Sequence, residues 1–178
     1  PYIRAVFATP TPQAPAAIPY AIVDRITPSE SAVATAFNHL LALGDSRFAA
    51  SEIVELLQCE PLRAAFGIDG DDIGTITHWI ESAGIRWGRS VAHRQEVVAV
   101  RFEPYTTWRH GLDRLLLGYA FGRQTTANDA LPLPCDCVEG DGAVLLGRFA
   151  TLLRQLQRWS DICREARPLS AWADTLDD

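Results

Sequence analysis

Apolar residues recur at helical spacing over most of the chain, in blocks separated by short stretches without periodicity. From Ser29 onward, Val33, Ala36, Phe37, Leu40 and Leu41 fall on one face and Gly44 offers a stop, which predicts an amphipathic helix. A shorter helix is expected where Ser51 can cap EIVELLQ and Pro61 interrupts. In DGDDIGTITHWIESAG, Ile73, Ile76, Ile80 and Ala83 align behind an acidic first turn, and Gly84 ends the run. TTWRHGLDRLLLGYAF aligns Trp108, Leu112, Leu115, Leu116 and Tyr119. The longest pattern, Gly142 to about Glu165, aligns Leu145, Phe149, Leu152, Leu153, Leu156 and Trp159. A last short helix is expected from near Ser170, after Pro168, with Trp172 and Leu176 on its apolar side.

The N-terminal part reads differently. Tyr2–Phe7 has the pattern of a helix end, Thr9–Ala17 is too rich in proline to continue it, and Ile18–Val23 reads as one buried strand with few partners in the chain. Between the last two long helices, GRQTTANDALPLPCDCVEGDG (Gly122–Gly142) lacks periodicity and exceeds most loops of compact domains, so it is expected to be mobile or to pack on an absent neighbour. No internal repeat is evident. The fold class expected is mainly α, with a short N-terminal strand.

Composition narrows the function. A chain of 178 residues with 48% hydrophobic content can form one domain with a real core, or a small domain plus an appendage. It begins at Pro1 and contains no methionine, which suggests a segment of a longer protein. No bilayer-length apolar run and no export signal are seen, so a cytoplasmic location is expected, and with it free thiols at Cys59, Cys135, Cys137 and Cys163. All sixteen basic residues are arginine. The segment by itself therefore lacks the lysine of a P-loop, of a protein kinase or of a Schiff-base enzyme.

Charge is unevenly placed. Arg86–Arg114 holds six arginines against Glu96, Glu103 and Asp113, in a chain of net charge −6. Arg86, Arg89, Arg94 and Arg109, beside Trp87 and Trp108, could bind phosphates and stack on unpaired bases. The competing reading pairs these arginines with acidic helices and buries the tryptophans. Cys135 and Cys137 form a C-x-C that would need Cys59, Cys163 or His93 to complete a metal site, and free thiols are the simpler reading. The acidic runs Asp69–Asp72 and Glu139–Gly142 lack the EF-hand order and are expected to serve helix N-termini. His39, His78, His93 and His110 are scattered, with neither a G-x-S-x-G elbow nor an H-E-x-x-H helix, and His78 with Glu81 reads as a surface ion pair rather than an acid/base couple.

IPYAIVDR, ALGDSRF, GIRWG, HR and TTWRHGLDRLLLGYA occur in this order, and together they resemble the RecC family, the gamma subunits of exodeoxyribonuclease V. The likeness covers nearly the whole chain and weakens in the proline-rich linker and the Cys-containing loop. It implies an architecture similar to superfamily 1 helicases without ATPase or nuclease chemistry. Residues 1–25 would be the end of a RecA-like domain with its linker, and 26–178 a helical 2B-type domain, which would explain the lone strand. It further implies RecB-like and RecD-like partners in an assembly that unwinds and degrades broken duplex DNA before recombinational repair. No family hotspot-reading or catalytic residue maps onto this segment.

The expected function is thus a non-catalytic structural or DNA-channel segment without its own cofactor, metal or membrane contact. Candidate DNA contacts are Arg86, Trp87, Arg89, Arg94 and Arg109. The negative net charge argues against strong binding by the isolated segment. The alternative is a pure protein-interaction module, and a small hydrolase using His78 or the acidic runs is a distant third.

Overall fold

Sustained 3.6-residue periodicity becomes helix wherever the computed structural model describes the chain, namely residues 31–98, 103–122 and 131–177, the side chain of Asp177 excepted. The chain divides into two units, Pro1–Ser31 and Ala32–Asp178, and the helices belong to the second. The expected helix end at Tyr2–Phe7, the linker and the strand at Ile18–Val23 lie outside the described residues. Within the described residues there are α1 (Ala32–Ala42), α2 (Ala50–Gln58), α3 (Glu60–Ala64), α4 (Asp72–Ser82), α5 (Val91–Val97), α6 (Trp108–Phe121), α7 (Gly142–Arg164) and α8 (Leu169–Asp177), and no strand.

Local chemistry sets most boundaries. Pro61 does end α2, and it also sits in the first turn of α3, where its missing N–H costs nothing. Residue Ala49, not Ser51, precedes α2, and Glu52 supplies the missing acceptor: its Oε2 takes the Ala49 N–H at 2.8 Å. Neither Asp71 nor Asp141 caps its helix through the side chain; Asp72 Oδ2 instead accepts the Asp69 N–H at 2.9 Å. At the end of α4 the chain turns through Gly84 at φ +71°, with Ile85 N–H on Ile80 C=O and Gly84 N–H on Glu81 C=O. That is a Schellman end, and Ile80 and Ile85 are both in the core.

Helix α7 is the axis of the core. Leu146, Phe149, Leu152, Leu153 and Leu156 are all buried along it, each contributing about 1.5–3 kcal/mol by leaving water. Its middle meets Trp108 edge-on, with ring centroids 6.1 Å apart. Its C-terminal part closes the end of α1: Trp159 Nε1 donates to Leu40 C=O (3.0 Å), Ser160 Oγ to Leu43 C=O (2.9 Å) and Arg164 Nε to Gly44 C=O (2.8 Å). The Leu40 and Leu43 carbonyls, which also accept the Leu43 and Ser46 N–H groups, thereby gain a second donor, and Gly44 C=O at the helix end is satisfied as well.

The apolar stripes are wider than the contacts they make. In α1 the buried row is Ala36 with partly buried Leu40, continuing to Leu43, whereas Val33, Phe37 and Leu41 are exposed. In α6 the inward row is Trp108, Gly111, Leu115 and Gly118, leaving Leu116 and Tyr119 about half exposed. Close approach explains this choice. A Cβ on Gly111 would lie 2.1 Å from Ile85 Cγ1, and one on Gly118 would lie 1.9 Å from the Cys135 carbonyl oxygen. The described part of the long loop packs on this chain's own helices: Cys135 N–H donates to Arg114 C=O at 2.9 Å, and Trp79 Nε1 to Cys137 C=O at 3.1 Å.

Candidate nucleic-acid interface and the junction beneath it

The arginine-rich stretch folds as a loop, Ile85–Ser90, followed by α5, a helix that apolar spacing does not reveal. Ser90 starts α5, its Oγ accepting the His93 N–H at 3.3 Å. Two further loops meet the first one. Gly88 N–H is shared by the carbonyls of Arg47 (3.0 Å) and Phe48 (3.1 Å), and Ala50 N–H donates to Arg86 C=O at 2.7 Å. From the other side, Arg86 N–H donates to Thr106 C=O (2.9 Å) and Trp108 N–H to Gly88 C=O (3.0 Å). The Trp108 indole closes the ring of contacts, its Nε1 donating to Phe48 C=O at 2.8 Å.

Arg94 occupies the middle of this junction and is 4% exposed. Its Nε and Nη2 donate to Trp87 C=O (3.1 and 2.7 Å), Nη1 to Tyr105 C=O (3.1 Å) and Nη2 to Thr106 Oγ1 (2.8 Å). Burial lowers the guanidinium's pKa. The planar fork of arginine suits this task, since it reaches acceptors on two loops at once. The guanidinium carbon also lies 4.6 Å from the centroid of the Trp87 ring. Gly88 permits the fit: its φ is +81°, and a Cβ there would stand 2.7 Å from Arg94 Cγ. Phe48 (φ 55°) and Thr106 (φ 69°) hold left-handed conformations, which for β-branched threonine costs on the order of 1–3 kcal/mol.

The sequence candidates therefore separate. Arg94 and Trp87 are built into the junction. Arg89 reaches α7, with Nη1 2.5 Å from Asp161 Oδ1 and 3.3 Å from Gln157 C=O. Arg86 and Arg109 are exposed, and neither side chain has a hydrogen-bond or ion-pair partner among the described residues. Arg109 lines a cleft of about 480 Å³ between α5, α6 and α7, a cleft that Arg86 does not line. The competing reading accounts for Arg89, paired with an acid, and for Trp108, fully buried. Spacing gave no hint of Arg94, because its partners are carbonyls rather than acids.

His93, buried beneath the cleft, has its pKa lowered to about 4, first by desolvation and then by Arg89 and Arg164. It is neutral at pH 7. Cys135 and Cys137 come together, Sγ to Sγ 3.3 Å, but neither Cys59, Cys163 nor His93 joins them, and no group of three potential ligands occurs among the described residues. Desolvation, then the Cys135 contact, pushes the Cys137 thiol up to about 12. His78 faces Ser82 Oγ at 3.4 Å rather than Glu81. Among the described residues no helix is long and apolar enough to cross a membrane.

Comparison with known proteins adds a family to this geometry. The model of the RecBCD enzyme subunit RecC fourth domain matches residues 30–178. The RecC subunit of Mycolicibacterium smegmatis is 37% identical over 155 residues, 87% of this chain and 14% of that protein. The RecC subunit of Escherichia coli is 37% identical over 180 residues, covering all of this chain and 16% of that protein. In Haemophilus influenzae the corresponding figures are 28% over 178 residues, 99% and 15%. The chain thus spans about one-seventh of the length of these relatives.

Proposed function

Because the chain belongs to the RecC family, matching its fourth domain, we propose that it is a non-catalytic structural segment of a RecC subunit acting in DNA double-strand break processing and recombinational repair. It works within an assembly with RecB-like and RecD-like subunits, as a helical, 2B-type domain beside the DNA path. The observation that carries this reading is the junction itself. ALGDSRF, GIRWG, HR and TTW, the blocks that resemble the family, supply its loops and its central arginine. Their basic and aromatic side chains go mainly into fixing backbone.

Arg47, Arg86 and Arg109 stay exposed, and of these Arg86 is the segment's DNA contact. Its backbone is held on both sides, by Ala50 and by Thr106, while its guanidinium is exposed. An arginine on a fixed backbone presents charge to a phosphodiester at little ordering cost. The test is forked-DNA binding by the assembled complex at several salt concentrations, wild type against Arg86→Ala. One lost phosphate contact lowers the slope of log K against log salt by about 1 without changing thermal stability. An unchanged slope removes Arg86 from the DNA path and leaves the protein-interaction reading, which the mixed-charge cleft favours.

A further inference from the structure

The cleft between α5, α6 and α7 is built differently from the exposed Arg86 loop. Its floor is apolar, made by Leu112, Leu116 and Leu153, with Ala150 beside them. Leu116 is 50% exposed, and Tyr119, one turn further along α6, is 52% exposed, so an apolar row leads out of the cleft along that helix. The walls carry both signs of charge. Asp161 is neutralised by Arg89 at 2.5 Å, and Glu96 by Arg164 at 3.5 Å. Arg109 on α6 and Arg154 on α7 have exposed side chains with no ion pair or hydrogen bond among the described residues, against the single carboxylate of Asp113.

We propose that this cleft is a docking groove for a segment of a partner subunit that inserts an apolar side chain between Leu112, Leu116 and Leu153 and sets carboxylates against Arg109 and Arg154. The proposal rests on the subunit role given above. Charge and polarity together select the occupant. Two uncompensated guanidiniums on opposite walls call for acidic groups. A leucine floor gives phosphates nothing to bond but accepts an apolar side chain, so the fit is to an acidic amphipathic protein segment rather than to DNA.

The experiment uses the full-length subunit that contains this segment, with its purified RecB-type and RecD-type partners as probes, each titrated separately. The variants are Leu116→Asp and Arg154→Glu, alone and combined, with Leu116→Ala/Arg154→Gln as a milder pair should the charged pair lower the melting temperature. The expected result is at least a tenfold rise in Kd for one of the two partners, with unchanged melting temperature and unchanged binding of forked DNA. A photo-crosslinking benzoylphenylalanine placed at position 116 should attach to an acidic, apolar-centred segment of that partner. Undiminished partner affinity overturns the groove, as does attachment to the subunit's own chain. Loss of salt-sensitive DNA binding in Arg154→Glu, with partner affinity intact, makes the groove a DNA site instead. Failure of the wild-type subunit to bind either partner brings down the subunit role and the groove with it, whereas wild-type binding that the variants retain brings down the groove alone.

Discussion

Replacing Arg94 with methionine keeps most of the packing of the side-chain stem and removes only the guanidinium, which makes it the sharpest probe of the junction. Four hydrogen bonds to three acceptors are lost, at Trp87 C=O, Tyr105 C=O and Thr106 Oγ1. A bond from a charged donor contributes about 1.5–3 kcal/mol, but Tyr105 is exposed and water can replace part of its bond, and bonds from one fork do not add. The gross loss is therefore about 4 kcal/mol. Relaxation of Thr106 from its left-handed conformation returns on the order of 1 kcal/mol, leaving about 3 kcal/mol net. For a domain of this size that is a fall in melting temperature of roughly 6–12 °C. Circular-dichroism melting at pH 7.5 measures it, and amide exchange at Gly88 and Trp108 should accelerate together, since both amides lie in the junction. Arg94→Lys should recover only part of the loss, because an ammonium cannot span both loops. A shift below 2 °C, or a lysine variant equal to wild type, would refute the view that the guanidinium holds the junction.

Gly88→Ala should destabilise by an amount similar to Arg94→Met, since it imposes both a disfavoured φ of +81° and a contact of 2.7 Å with Arg94 Cγ; combined with Arg94→Ala, which removes Cγ, its cost should shrink, which a double-mutant cycle of melting curves reads directly. His93 gives a pH dependence of defined sign: the unfolded state takes up its proton near pH 6.5 and the folded state only near 4, so stability falls as pH drops through that window and levels off below it. The full contribution is on the order of 3 kcal/mol, and His93→Gln should flatten the pH profile of urea midpoints between those limits. Cys137, partly buried and with its thiol pushed up to about 12, should be alkylated by iodoacetamide at pH 8 far more slowly than in the urea-unfolded chain, and equal rates would contradict the raised pKa.

Helices with a long apolar period are legible in the sequence, and α4 and α7 even in their inward faces, because burial there follows the stripe. The inward rows of α1 and α6 are legible only in part: Ala36, Leu40, Trp108 and Leu115 do face inward, but Val33, Phe37, Leu41, Leu116 and Tyr119 do not. Periodicity gives the width of an apolar stripe, and a neighbour then decides which row of it to cover; on α6 the deciding residues are Gly111 and Gly118, which carry no apolar signal at all. Helix α5 was hidden because seven residues hold too few turns to show a period, though Ser90 ahead of VAHRQEV was a usable start signal. The junction was least legible. Its bonds join backbone groups of three distant loops, and backbone hydrogen bonding leaves no residue-type signature beyond a glycine where a side chain would collide.

If the segment contacts DNA as proposed, this arrangement separates two ways in which a change in the arginine-rich stretch could weaken that contact. Arg86 lies between Ala50 and Thr106 through its own N–H and C=O, and the Thr106 hydroxyl is in turn held by Arg94. On the proposed reading, loss of Arg94 displaces Arg86 although Arg94 itself is buried. A functional defect at either position would look alike in a repair assay, and reading both as contacts would be a mistake. The two are distinguished by pairing stability with salt dependence. Arg86→Ala should alter the salt slope of DNA binding at constant melting temperature, whereas Arg94→Met should alter both, and adding Arg94→Met to Arg86→Ala should change the slope no further. If the double variant loses more slope than Arg86→Ala alone, the junction does not act through Arg86, and the two arginines act independently.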